Sequence, residues 1–145
     1  MVLKVYQKYL IKEFIATSLK ITFVFLVLGL IMGLLEELNF FSDIDVEYYY
    51  PFYLVLLNVP SLIYEVFPFI FLLSSQFLFI KLLDSGELNT FKNNGLDNLK
   101  ILKLISLLSF IMGLFIIVIF YNLSAIMKFE YLDIKKNFTK DNKYL

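Results

Sequence analysis

The sequence predicts an all-α integral membrane protein with three transmembrane helices and a short helix between the second and the third. Of its 145 residues, 60% are hydrophobic, whereas soluble domains have roughly 45–50%. The apolar residues are gathered into three long runs instead of alternating with polar residues. Runs of this length are typical of helices that cross a bilayer.

The first span is predicted at about residues 16–35. Its apolar core is Ile21–Leu35, and Lys20 can extend its charged end back to the membrane surface. A signal peptide is the competing interpretation, because lysines precede the apolar core. We favour an uncleaved helix, since "LLEELNFF" stands where a cleavage site would need small residues.

The second apolar run is long enough for a span and an interfacial segment. Tyr48–Tyr53, "YYYPFY", is typical of an aromatic belt at a membrane surface, and the span itself is predicted at about 53–80. Pro60 and Pro68 are predicted to kink this helix, because proline removes a backbone hydrogen bond. The third span is predicted at about 101–123.

The lysines predict the direction of the spans. They flank the first span on its N-terminal side and recur in the loop between spans two and three, whereas the loop between spans one and two is acidic. By the positive-inside rule, the N-terminus and the second loop are cytoplasmic. The acidic loop, with Glu36 and Glu37, then lies outside. Residues 1–128 are predicted to form the transmembrane domain, and residues 129–145 are predicted to begin an exported segment.

Composition excludes several kinds of chemistry. Cys and His are absent, so disulfides, thiol catalysis, His-based acid–base catalysis and the usual zinc sites are excluded. The formal net charge is zero, which gives no global basic surface for nucleic acid. We predict no catalytic residue, metal site or cofactor. We favour helix packing for Ser74 and Ser75 over a Ser/Lys hydrolase, because no base lies nearby at membrane depth.

The loop after the second span, "LLDSGELNTFKNNGL", encodes a capped helix of about two turns. Ser85 is its predicted N-cap. Gly95 is the predicted left-handed residue at its C-terminal end, where Leu96 and Phe91 would form the apolar pair of a Schellman motif. Asp97 is the predicted cap of the helix that follows.

One face of this short helix is apolar, because Leu88 and Phe91 are three residues apart. The face can lie in lipid headgroups or against the bundle, or it can bind a cytoplasmic partner. The residues alone leave both uses open.

Two features inside the spans are candidates for function. Glu65 is the only acidic residue well inside a span, and an intramembrane carboxylate is a candidate for a substrate path. The alternative for Glu65 is a solvated or helix-pairing side chain. Gly29 and Gly33, in "GLIMG", would let another helix approach the first span closely.

Seven residues of the segment Val59–Lys103 carry a resemblance by their order and spacing: Pro60, Pro68, Leu72, Leu78, Glu87, Leu88 and Gly95. With them, the segment resembles the signature region of the lipopolysaccharide export permeases, the LptF/LptG family of ABC transporters. The "LIYE" of residues 62–65 favours the LptG-like branch, and Tyr121–Lys128 resembles the family's exit from its third helix.

The resemblance implies the N-terminal half of a permease that helps to extract lipopolysaccharide, or a similar glycolipid, from the bacterial inner membrane. Family members are longer, with six spans and a jelly-roll domain, so the chain is expected to be truncated or split. The implied partners are a cytoplasmic ABC ATPase, a second permease subunit and a single-span periplasmic bridge protein. The ATPase would hydrolyse ATP, because this chain has no G-x-x-x-x-G-K-[ST] sequence.

The resemblance also implies roles for individual residues. The short helix would be the coupling helix that docks in a groove of the ATPase. Leu88 and Phe91 would be its apolar anchors, Glu87 its polar contact and Gly95 its end. Gly29 and Gly33 would face the opening between the two permease subunits, in the path of the lipid.

One feature departs from the family pattern. Members often carry basic residues near the outer end of the first helix, where this sequence has Glu36 and Glu37. The identity of the lipid is therefore open. The alternative function is a complete three-span scaffold or assembly protein without transport activity, in which Leu88 and Phe91 anchor the loop in lipid.

Overall fold

The computed structural model describes residues 4–142, with side chains described through residue 139. This part of the chain forms α1 (Val5–Phe40), α2 (Tyr49–Asp84), α3 (Glu87–Asn93) and α4 (Asn98–Asn142), and it contains no strand. The helices α1, α2 and α4 are long and apolar enough to cross a membrane. The predicted all-α architecture, with three spans and a short helix before the third, is confirmed.

The long helices extend beyond the predicted spans at both ends. The lysine-rich flank before residue 16 is part of α1, because Lys, Leu, Gln and Glu are all good helix formers. At its other end α1 continues to Phe40, so Glu36 and Glu37 lie on a helix and their assignment to the loop was wrong. The connection to α2 is residues 41–48.

The helix α4 continues well past the predicted third span. It runs to Asn142, so the segment from residue 129 is helical as far as that residue. The export of this segment stays a prediction. The helix α2 is continuous from Tyr49 to Asp84 across Pro60 and Pro68, and the kinks at these prolines also stay predictions.

The chain divides into two compact units, each with its own buried side chains. Unit 1 combines the part of α1 up to Phe23 with Phe67–Phe115, and unit 2 combines Val24–Val66 with the part of α4 from Ile116. The largest fully buried hydrophobic side chains in unit 1 are Leu10, Phe14, Ile70, Leu78, Leu82 and Ile101. In unit 2, the buried side chains of Phe41, Leu54, Leu57 and Tyr131 form one apolar cluster.

Within unit 2, the glycine pair of α1 is covered by α2. A Cβ added at Gly33 would lie 3.0 Å from Val55 Cγ1, and one added at Gly29 would lie 3.0 Å from Leu62 Cδ2. The prediction that these glycines allow a helix to approach closely is confirmed, and the helix is α2 of the same chain. Their role in a lipid path stays a prediction.

Replacing each of these glycines by alanine is expected to have two opposing effects on stability. Alanine favours a helix by about 1 kcal/mol over glycine, but overpacking costs about 1–3 kcal/mol. Gly33→Ala is expected to destabilise the chain, because the β-branched Val55 has little freedom to move. Gly29→Ala should cost less, because the flexible end of Leu62 can rotate.

The matched control for this series is Gly113→Ala, where the nearest atom would be 3.5 Å away, an ordinary contact. It is expected to be neutral or stabilising. Thermal unfolding of the three variants in one detergent checks the order. A Gly33→Ala variant as stable as Gly113→Ala would contradict the close packing.

Candidate functional site

The short helix α3 begins at a glycine turn. Gly86 has φ 71°, a left-handed conformation that glycine adopts without strain, and it stands at the N-cap. Its carbonyl accepts hydrogen bonds from the amides of Asn89 (3.2 Å) and Thr90 (3.4 Å). The prediction of Ser85 as N-cap was wrong. The Ser85 hydroxyl instead donates to the Leu82 carbonyl at 3.5 Å, within the last turn of α2.

The C-terminal end of α3 is a Schellman motif, as the sequence predicts. Gly95 has φ 79°, and its amide donates to the Lys92 carbonyl at 2.9 Å. The amide of Leu96 donates to the Phe91 carbonyl, also at 2.9 Å. The Lys100 ammonium donates to the Gly95 carbonyl at 2.8 Å. Both ends of α3 are therefore fixed by backbone geometry.

The three predicted contact residues of α3 differ in exposure. Leu88 is only 4% exposed, so its side chain holds α3 against its own chain. Glu87 and Phe91 are half-buried. The surface that α3 offers to another molecule therefore comes from Glu87 and Phe91 more than from Leu88.

A tyrosine of α1 contacts both of these residues. The Tyr9 hydroxyl donates to Glu87 Oε2 at 2.7 Å. The ring centroids of Tyr9 and Phe91 are 6.4 Å apart with the planes tilted by 56°, within the range of favourable aromatic pairs. One turn further along α1, Glu13 forms an ion pair with Lys81 near the end of α2.

The Tyr9 phenol remains a hydrogen-bond donor at neutral pH. The hydrogen bond to Glu87, together with partial burial, raises the pKa of Tyr9 to about 12, because a phenolate would be repelled by the carboxylate. Tyr9 precedes the first predicted span, so this contact lies outside the apolar part of α1.

An open cavity of about 900 Å³ lies beside α3 within unit 1. Tyr6 and Tyr9 of α1 contribute to its wall, as do Thr90 and Phe91 of α3. Its lining also includes Lys4, Glu87 and Lys100, so charges of both signs surround it. A side chain from another molecule could enter here and reach Glu87 and Phe91 together.

Unit 2 contains a second polar cluster. Glu37 is 3% exposed, and its Oε1 accepts hydrogen bonds from the Tyr131 hydroxyl at 2.7 Å and from the Lys135 ammonium at 2.9 Å. The ammonium also donates to the Tyr131 oxygen at 2.8 Å and lies 4.5 Å from the centroid of the Phe40 ring. The second carboxylate oxygen, Oε2, is buried without a described hydrogen bond.

Tyr131 and Lys135 both keep their protons in this cluster. Burial raises the pKa of Tyr131, whose hydroxyl therefore stays protonated. For Lys135, burial alone would lower the pKa, but the hydrogen bonds to Tyr131 and Glu37 outweigh it and the pKa is raised. Both residues follow the third predicted span. Glu37 is thus neutralised within the chain by an ammonium.

Comparison with known families decides the identification. The family model described as lipopolysaccharide export system permease LptF/LptG matches residues 8–145. The chain belongs to the LptF/LptG family. Nothing matches the chain in the comparisons with curated proteins and with solved structures. As a member of this family it is a multi-pass membrane permease of a lipopolysaccharide export system.

The remaining residue of the predicted site is Glu65. On α2 of this LptF/LptG chain, Glu65 is exposed, and its Oε1 accepts a hydrogen bond from the Ser61 hydroxyl at 3.5 Å. The exposed carboxylate is compatible with either of its predicted roles, and the substrate-path role stays a prediction.

The departure from the LptF/LptG pattern near the C-terminal end of α1 is smaller than the sequence suggests. Of the two acids there, Glu37 is buried and paired with Lys135, and only Glu36 is exposed. Sequence reasoning missed this cluster because it assigned Glu37 to a loop. The available signal was the apolar spacing of Met127, Tyr131, Ile134 and Phe138, which continues a helical face beyond residue 123.

Proposed function

We propose that this chain couples ATP hydrolysis by a cytoplasmic ABC ATPase to the extraction of lipopolysaccharide, or a similar glycolipid, from the bacterial inner membrane. In this proposal α3 is the coupling helix. The observation that carries it is the fixed geometry of α3, a seven-residue helix between two spans that leaves Glu87 and Phe91 accessible beside a cavity.

The caps of α3 support this role. An isolated helix of this length is unstable in water, because nucleation is costly. Here the turns at Gly86 and Gly95 and the burial of Leu88 stabilise it. A partner therefore meets a preformed surface and loses little affinity to the ordering of the loop.

The proposal also requires α3 to lie on the cytoplasmic side of the membrane, where the ATPase is. The lysines that precede the first span and those in the loop with α3 support a cytoplasmic location for both segments, by the positive-inside rule. The ATPase would then bind α3 there. The acidic connection between α1 and α2 would face the periplasm, where the single-span bridge protein acts.

The lipid path and the second permease subunit belong to the same proposal. Glu65 is an exposed carboxylate within the second span, and it would contact the lipid or the second permease subunit. The glycines of α1 bring α2 close and so shape the surface next to the opening. The "LIYE" sequence supports an LptG-like identity over an LptF-like one.

The test is binding of the ATPase by the Phe91→Ala variant. The purified permease, with and without this substitution, is titrated in detergent with the ATPase. The dissociation constant for the ATPase is expected to rise by about tenfold or more in the variant, because a buried aromatic anchor is a typical hot spot. Asn89→Ala is the matched control, since Asn89 is an exposed residue of the same short helix.

The alternative, a scaffold whose loop is anchored in lipid, predicts another outcome. Phe91→Ala would then leave binding of the ATPase unchanged, or there would be no binding at all. The loop would instead lose protection from hydrogen exchange in lipid nanodiscs. Either result would contradict the coupling function.

A further inference from the structure

The contact between Tyr9 and α3 goes beyond docking of an ATPase. Its donor is on α1 and its acceptor, Glu87, is on α3, 78 residues later in the chain. The same tyrosine ring lies against Phe91. One side chain of α1 therefore contacts both residues that α3 offers to a partner.

The hydrogen bond leaves part of the Glu87 carboxylate available. Tyr9 takes Oε2, and the structure describes no hydrogen bond to Oε1 from residues 4–139. A carboxylate can accept bonds at both oxygens, so Tyr9 and a cation of the ATPase can bind it at the same time.

The attachment of α1 next to Tyr9 is firm. Leu10 and Phe14 are fully buried, and the Phe14 ring lies 6.1 Å from that of Phe71 in α2. From Val5 to Phe40, α1 is one unbroken helix, so Tyr9 and the first predicted span belong to the same hydrogen-bonded element.

We infer that Tyr9 is a positioning residue that links α3 to α1, so that movement of α3 by the ATPase is transmitted to the first span as well as to the two spans joined to α3 by the chain. The inference rests on the proposed coupling function. The chain joins α3 directly to α2 and α4 but not to α1. In this inference, the Tyr9 hydroxyl supplies that missing connection to α1.

The sharpest variant is Tyr9→Phe, which removes one oxygen and keeps the ring beside Phe91. In the assembled export complex, reconstituted in vesicles, the amount of lipopolysaccharide released per ATP hydrolysed is expected to fall by about fivefold, the lower end of typical coupling effects. Binding of the ATPase is expected to remain as in the unmodified complex, because Tyr9 bonds only Oε2 of Glu87. The melting temperature is expected to fall by no more than a few degrees, roughly the effect of one lost hydrogen bond, whereas a loss of folding would abolish binding.

Tyr6→Phe is the matched control, because Tyr6 lines the same cavity from the same helix and the structure describes no hydrogen bond from its hydroxyl. A second test combines Tyr9→Phe with Glu87→Gln. If the two groups act as one link, the double variant is expected to be no worse than the more impaired single variant.

The outcomes separate the inference from the function on which it rests. If the unmodified complex binds the ATPase and Tyr9→Phe releases lipopolysaccharide with unchanged stoichiometry, the link is overturned and the coupling helix stands. If the unmodified chain does not bind the ATPase, the proposed function itself is overturned. Additive losses in the double variant would also overturn the link, because they would show independent actions.

Discussion

Replacing Glu87 by lysine is expected to lower ATP-driven release of lipopolysaccharide by about tenfold or more, because charge pairs at interfaces are worth roughly 2–5 kcal/mol when broken. The ammonium would stand where the Tyr9 hydroxyl and a cation of the ATPase each require an acceptor. The proposed contact with the ATPase and the inferred link to α1 would then be lost together. Insertion in the membrane is expected to be normal, since α3 lies outside the predicted spans.

The measurement compares membrane levels, ATPase binding and lipid release for Glu87→Lys with a charge-matched control. Asp84→Lys makes the same change three residues earlier, on an exposed side chain at the end of α2. Glu87→Gln keeps an oxygen acceptor and is expected to be less impaired. Normal ATPase binding by Glu87→Lys would exclude Glu87 as a contact of the coupling helix.

The features of α3 that depend on backbone conformation could be predicted from the sequence. Gly95 was predicted to be left-handed and to be followed by the apolar Leu96, and both parts of the Schellman motif are present. The predicted start of α3 was wrong, because Ser85 and Gly86 are both residues that commonly stand at a helix boundary. Gly86, in the left-handed conformation, is the N-cap of α3. The amide of Ser85 instead donates to the Lys81 carbonyl at 3.0 Å, directly after the last residue of α2.

The contacts between distant segments could not be predicted from local patterns. Nothing in the sequence around Tyr9 indicates that its hydroxyl meets Glu87, because the pair depends on how α1 packs beside α3. Glu37 was hidden for a related reason. An acid at the end of an apolar run is usually solvated, and only the continuation of α4 beyond residue 123 brings Lys135 to it.

The Glu37 cluster leads to the last prediction, which concerns stability. Lys135→Met is expected to destabilise the chain by about 3 kcal/mol, because it leaves a buried carboxylate without its cation. Glu37→Met is expected to cost less. The Lys135 side chain is 20% exposed, and its flexible stem can carry the ammonium to water once the carboxylate is removed.

The double variant distinguishes a charge pair from simple packing. Replacing Glu37 and Lys135 together by methionine is expected to recover much of the loss of Lys135→Met, because buried ion pairs are often no more stable than apolar groups of similar volume. Glu36→Met and Lys136→Met, at the exposed neighbours, are the matched controls and are expected to have little effect. Thermal unfolding in one detergent ranks the variants by stability. If the two single losses add in the double variant, the cluster stabilises unit 2 by packing alone, and Lys135 does not act by neutralising Glu37.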